Sequence, residues 1–157
     1  MHSVSNYAHC GQFRCKLVRV DVCAAGEGLE AAARKARYQV YADSEADAVV
    51  LAHHRDDQIE TFFLGALRGG GLRSLSAMPA IRSLTENTVI WRPLLHFSRQ
   101  QLKAYADAAG LGHIEDDSNS NCAYLRNWLR LDGLPYWRKH LPHLDTQIES
   151  GSRTFTR

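Results

Sequence analysis

The sequence predicts an α/β protein, an open and mainly parallel sheet with helices flanking it, and three observations carry that expectation. Apolar or alternating runs recur at 16–22, 47–52 and 88–95. Each is followed by a stretch in which apolar residues return at helical spacing, and cap or turn residues stand at the joints. Strand, helix, strand, helix in that rhythm is how parallel strands joined by right-handed crossovers read in sequence.

"KLVRVDV" (16–22) alternates Leu17, Arg19 and Asp21 against Val18, Val20 and Val22, which predicts a strand with one better-buried face, ended by the turn-like "CAAGEG". From Leu29 the residues Leu29, Ala33, Ala36 and Val40 keep helical spacing to about Asp43, grouping Glu30, Arg34, Arg37 and Tyr38 on the other side. "DAVVLA" (47–52) is continuously apolar, as in a strand covered on both faces. A helix then starts within "RDDQIE": Ile59, Phe62, Phe63, Ala66 and Leu67 form its stripe, and Arg68 with the triple glycine 69–71 stops it. "TVIWRPLL" (88–95) predicts a strand ended by Pro93. Ser98 with Gln101 forms a capping box for a helix through Leu102, Tyr105, Ala106 and Ala109, closed by Gly110. "LGHIEDDSNSN" reads as a short strand running into a polar loop, "AYLRNWLRL" begins a last helical region, and 149–157 is a polar tail.

At 157 residues the chain is long enough for one ordinary domain with a real core. A net charge of +2 neither demands nor excludes a nucleic-acid partner, because phosphate affinity comes from a local basic footprint that a sum conceals. The stretch 126–139 leans basic, with Arg126, Arg130, Arg138 and Lys139 against Asp132. The cysteines Cys10, Cys15, Cys23 and Cys122 form no CxxC pair, which favours reduced thiols over a metal knuckle or a disulfide framework. The first residues lack a charged segment followed by an apolar one, and no run is long enough for a membrane span, so a cytoplasmic protein without a membrane partner is expected.

The densest chemistry is "HHRDDQIET" (53–61), at the carboxyl end of the 47–52 strand, where ligands bind in open α/β sheets. On the helix that follows, Asp57, Thr61 and Arg68 fall near one line with Glu60 beside them, opposite the apolar stripe. A carboxylate there can hold Mg²⁺ or a substrate ammonium, and an arginine can hold a phosphate. The plainer alternative is that Asp56 or Asp57 caps the helix and the histidines are partly buried neighbours. A zinc site is disfavoured because adjacent strand histidines point to opposite faces. The triple glycine is not followed by Lys-Ser/Thr, so it is no Walker A loop. A second polar cluster, "IEDDSN" (114–119), precedes "LRNWLR", in which Arg126 and Arg130 share a helix face.

Taken together, "EGLEAAARKARY" (27–38), "VVLAHHRDDQIETFFLGALRGGGLRSLSAM" (49–78), "WRPLL" (91–95), "IEDDSN" and "RNWLR" (126–130) resemble, in order and spacing, the tRNA(Ile)-lysidine synthase family of N-type ATP pyrophosphatases, from about residue 8 to residue 145. The resemblance implies a Rossmann-like, adenine nucleotide alpha hydrolase-like sheet. It implies a ligation in which ATP activates C2 of the wobble cytidine of tRNA(Ile) with a CAU anticodon, and the amine of L-lysine then displaces AMP, with ATP and Mg²⁺ as cofactors. By that likeness Asp56, Asp57, Arg34 and Arg126 are the catalytic candidates, and His53, Arg37, Glu60 and Thr61 line the nucleotide. Glu30, Tyr38, Arg68, Asp116 and Asn119 give support, and Asp57 is the candidate Mg²⁺ ligand. A homodimer is compatible with this reading.

The family's Ser-Gly-Gly-x-Asp-Ser phosphate loop does not occur in these 157 residues. The expectation is therefore of a sheet incomplete at its N-terminus, with 1–133 a partial pyrophosphatase domain and 134–157 a helical extension and polar tail. Catalysis by this chain alone is expected to be impaired. The alternatives are a related tRNA sulfur transferase, against which the lack of a CxxC counts, and a non-catalytic tRNA-binding remnant. "LRLDGLPYW" departs from the family's more basic, aliphatic run, and Asp132 and Gly133 are expected to weaken the helix there.

Overall fold

A computed structural model describes residues 17–23, 26, 28–112 and 125–154. The chain divides into two compact units, 1–46 and 47–157. The expected boundary at 133/134 falls inside the second.

In the first unit, helix α1 (Leu29–Ala42) starts after Gly28, whose φ of 83° suits a residue without a Cβ. Ala32 is buried, and the Arg34 guanidinium lies 5.0 Å from the Tyr38 ring centroid. Residues 17–23 are not in a strand, contrary to the alternation, and Leu17 is 78 % exposed. Alternation says which face of a strand would be buried; it does not supply the neighbouring N–H and C=O groups without which no ladder forms.

The second unit holds a three-stranded sheet, in the order β1 (Ala48–Val50), β3 (Val89–Trp91), β2 (Ile81–Ser83). β1 and β3 are parallel, Val49 opposite Ile90, and the ladder continues through Val89 N–H to Asp47 O and Leu51 N–H to Trp91 O. β2, three residues that no periodicity revealed, pairs antiparallel with β3. Ile90, in the middle of the central strand, is fully buried. β1 is not covered on both faces as its apolar run suggested. Among the described strands only β3 borders it, and Val50 is 58 % exposed. A fully covered strand needs a layer on each side, and the run alone does not create one.

Helix α2 (Arg55–Leu67) crosses from β1. Its apolar stripe builds the core: Ile59 packs with Leu134, Leu144 and Ile148, and Phe62, Phe63 and Trp137 pack around them. The Phe63 and Trp137 rings stand 4.6 Å apart between centroids. Their partners lie on a helical run of α4 (Leu125–Trp128), a π-helical turn (Leu129–Gly133) and α5 (Leu134–His140), followed by α6 (Leu144–Thr154). The π turn falls at Asp132 and Gly133, where the sequence predicted a weakened helix.

Three glycines, one inside α2 and two after it, shape its exit. Gly69, at φ 67°, reverses the chain, and a Cβ on Gly65 or Gly70 would collide with Ser74 of the following 3₁₀ turn (Leu72–Leu75). Helix α3 (Arg99–Ala108) opens on the predicted capping box: Gln101 N–H donates to Ser98 Oγ at 3.1 Å, and Ser98 N–H to Gln101 Oε1 at 2.8 Å. Among the described residues no helix is long and apolar enough to cross a membrane.

Candidate active site at the amino end of helix α2

The first turn of α2 stands just past the carboxyl end of β1, with its amide dipoles directed outward. His54, not an aspartate, is the N-cap. Its Nδ1 accepts the Asp57 amide at 3.4 Å, and its own N–H donates to Asp57 Oδ2 at 2.9 Å. This is a capping box in which imidazole replaces the usual hydroxyl. Asp57, 8 % exposed, thus fixes the turn that it belongs to.

One helical turn on, Glu60 is 1 % exposed and is paired with two arginines. Arg130 Nε donates to Glu60 Oε1 at 2.8 Å and its Nη2 to Oε2 at 3.0 Å; Arg126 Nε donates to Oε2 at 2.8 Å. Arg126 Nη2 also donates to Asp57 Oδ1 at 3.1 Å. Two carboxylates and two guanidiniums therefore neutralise one another in a mostly dry place, where single burial of any of them would be costly. The hydrogen bonds to Glu60, working against burial and helped by the charges of Glu60, Asp57 and Asp56, hold the Arg130 guanidinium above its ordinary range. Thr61 braces the same turn by donating to Asp57 O at 2.7 Å.

Asp56 faces the other way. Its Oδ2 accepts the Arg99 amide, in the first turn of α3, at 2.8 Å; its Oδ1 accepts Arg138 Nη2 at 2.8 Å, while Arg138 Nε donates to Asp145 Oδ1 at 2.9 Å. Burial pushes the Asp56 carboxyl up, but the Arg99 amide, Arg138 and His54 outweigh it and leave it below its ordinary range. Gln58 pairs its amide with the backbone of Met78, donating to Met78 O at 2.8 Å and accepting Met78 N–H at 2.6 Å.

Of the residues that the sequence singled out, Asp57, Glu60, Thr61 and Arg126 come together, with Asp56 and the half-buried His53 beside them. Arg68 does not join them: it caps the far end of α2, about 16 Å along the axis from Asp57. Arg34, Arg37 and Tyr38 lie on α1 in the other unit, the two arginines exposed. The side chain of Glu30, and Asp116 and Asn119 entirely, lie outside the described residues. The pairing of Arg126 with Arg130 was legible from their i, i+4 spacing. His54 as a cap was not, since histidine is no preferred cap residue. Arg138 was not either, standing 82 residues from Asp56.

The described residues do not make a cation site by themselves. Both Asp57 oxygens already accept hydrogen bonds, one of them from a guanidinium, and among the described residues no three histidine, cysteine or acidic side chains converge. A cavity of about 210 Å³, lined largely by apolar groups of Ile59, Met78, Leu95 and Ile148, lies elsewhere on α2, and neither Asp57 nor Arg126 borders it.

Comparison with known proteins identifies relatives of the chain. The chain is 50 % identical over 147 residues to the tRNA(Ile)-lysidine synthase of Neisseria gonorrhoeae, covering 92 % of this chain and 33 % of that protein. It is 48 % identical over 149 residues to the one of Chromobacterium violaceum (90 % and 34 %) and 42 % identical over 162 residues to one of Histophilus somni (96 % and 37 %). The chain thus spans about a third of the length of these curated relatives. A family model for the PP-loop domain matches residues 2–136, which takes in α1, the sheet, α2 and both arginines that grip Glu60, and the chain accordingly belongs to the PP-loop domain family.

Proposed function

We propose that this chain is part of a tRNA(Ile)-lysidine synthase, an ATP-dependent ligase that joins lysine to C2 of the wobble cytidine of tRNA(Ile) with a CAU anticodon. The observation that carries the proposal is the 50 % identity over 147 residues to a protein of that name. In this reading ATP adenylates the C2 oxygen with loss of pyrophosphate, and the lysine amine displaces AMP. Arg126, 37 % exposed at its side chain, is the member of the charge cluster best able to reach a phosphate or the adenylate, while Glu60 and Arg130 hold it in position. Asp57, in the first turn of α2, and His53, just before its N-cap, are assigned to the nucleotide and the incoming ammonium. Arg34 and Arg37 are assigned to phosphate or the adenylate, Glu30 and Tyr38 to supporting roles, and Asp116 and Asn119 to a structural clasp. Mg²⁺ use, lysine, the cytoplasmic setting and a homodimeric assembly belong to the same proposal.

The sequence holds no Ser-Gly-Gly-x-Asp-Ser loop, so the isolated 157 residues are expected to incorporate lysine at below about a tenth of the rate of an intact relative. The test joins this chain to the segment that precedes the matching region in the Neisseria gonorrhoeae relative, and supplies ATP, Mg²⁺, tRNA(Ile) and radiolabelled lysine. Label in the tRNA is expected, reduced at least about tenfold by Asp57→Ala. No label from a folded chimera, beside an active control, rejects the reading.

A further inference from the structure

We propose that Arg138 is a positioning residue for the α2 site: through Asp56 it fixes the first turn of α2 against α3 and α6. Neither the family match, which ends at residue 136, nor any sequence motif assigns it a role. The geometry is a three-way clamp. The Arg138 fork spends Nη2 on Asp56 and Nε on Asp145, at 2.8 and 2.9 Å, so one rigid guanidinium joins the second residue of α2 to the second residue of α6. With one Asp56 oxygen held there, the other is turned to the Arg99 amide at the start of α3. The first residue of α2 is held from the same side, Arg55 Nε lying 3.6 Å from Glu149 on α6.

The turn so clamped is the one that carries the His54 and Asp57 capping box, with Glu60 a turn further on. A rotation of the α2 amino end would move Asp57 away from Arg126, so the orientation of the charge cluster depends on residues outside the cluster. The inference rests on the function proposed above only for the chemistry that this end of α2 would serve.

Amide hydrogen exchange followed by NMR on the whole chain tests it without ATP, lysine or tRNA, so failure of the ligase reading does not decide the outcome. In Arg138→Met the Arg99 amide is expected to lose at least roughly tenfold of its protection relative to the Leu102 amide, which bonds to Ser98 O and does not touch the clamp. Arg138→Lys, whose ammonium can still reach Asp56, is expected to restore most of it. Arg99 protection that is unchanged relative to Leu102 in Arg138→Met overturns the proposal. So does an equal loss at Leu102 and at the Ile59 amide in both variants, which would make Arg138 a general support of the fold. Selective loss with lysine rescue sustains it.

Discussion

Among the described residues Glu60 is the most deeply buried charged side chain. Its carboxylate is out of water and paired, among the described residues, with Arg126 and Arg130, so Glu60→Gln leaves two guanidiniums sharing the single carboxylate of Asp57. Both arginines keep some contact with solvent, at 37 % and 22 % side-chain exposure, which places the expected loss near the lower end for a broken buried pair, about 3 kcal/mol. Urea unfolding reads it as a lower midpoint at unchanged slope, and a midpoint equal to wild type refutes it. Asp56 gives a different signature. A carboxyl whose folded pKa lies below its unfolded value adds stability that is complete above the unfolded value, about 3.9, and is lost as the pH falls through the folded one. The wild-type chain is therefore expected to lose stability in a step below about pH 4 that Asp56→Asn lacks. Parallel stability–pH curves for the two would remove the premise.

Between elements, the close approach of α2 to the 3₁₀ turn after it needs a missing Cβ on the helix itself, at Gly65. Alanine in place of a helix-interior glycine usually gains about 1 kcal/mol. At Gly65 the added Cβ would enter the Ser74 backbone carbonyl, which cannot swing aside, so the sign reverses and Gly65→Ala is expected to lower the melting temperature by about 4 °C or more. Gly71, with open space around it, serves as the control at which alanine is tolerated. The two glycines look alike in sequence because what separates them is a contact made nine residues from Gly65. The same division runs through the fold. The capping box of Ser98 and Gln101 and the shared face of Arg126 and Arg130 were legible because each is closed within four residues. The π turn could be foreseen from Asp132 and Gly133 as a weak place, though not as a π turn. The 16–22 run had a strand's pattern, yet its described residues 17–22 form no strand, whereas β2 formed with no pattern, since pairing with β3 and not local propensity decides a three-residue strand.

For the molecule as a whole, the boundary of the family match and the boundary of the core do not coincide. The match ends at residue 136, yet the fully buried Ile59 owes its cover to Leu134, Leu144 and Ile148, with Trp137 stacked on Phe63 beside it. Three of those four partners lie beyond the match, as do Arg138 and Glu149, which hold the first two residues of α2. A chain ended after residue 136 would leave Ile59, Phe62 and Phe63 facing water on the same helix as the Asp57 and Glu60 charge cluster. Losing a buried Leu or Ile to a cavity costs about 2–5 kcal/mol, and two such losses with an aromatic one approach the total of about 5–15 kcal/mol that holds a domain together. The truncated chain is therefore expected to lose the cooperative unfolding of residues 47–136, seen as a broad, shallow urea transition and collapsed near-ultraviolet dichroism from Trp91 and Trp128. The double variant Leu144→Ala with Ile148→Ala, in the full-length chain, should weaken the same transition while keeping Arg138 and Glu149 in place, which separates the loss of core from the loss of the clamp. A truncated chain that unfolds sharply at the full-length midpoint would show that α2 finds its cover within the first 136 residues, and the core assigned to α5 and α6 would have to be given up.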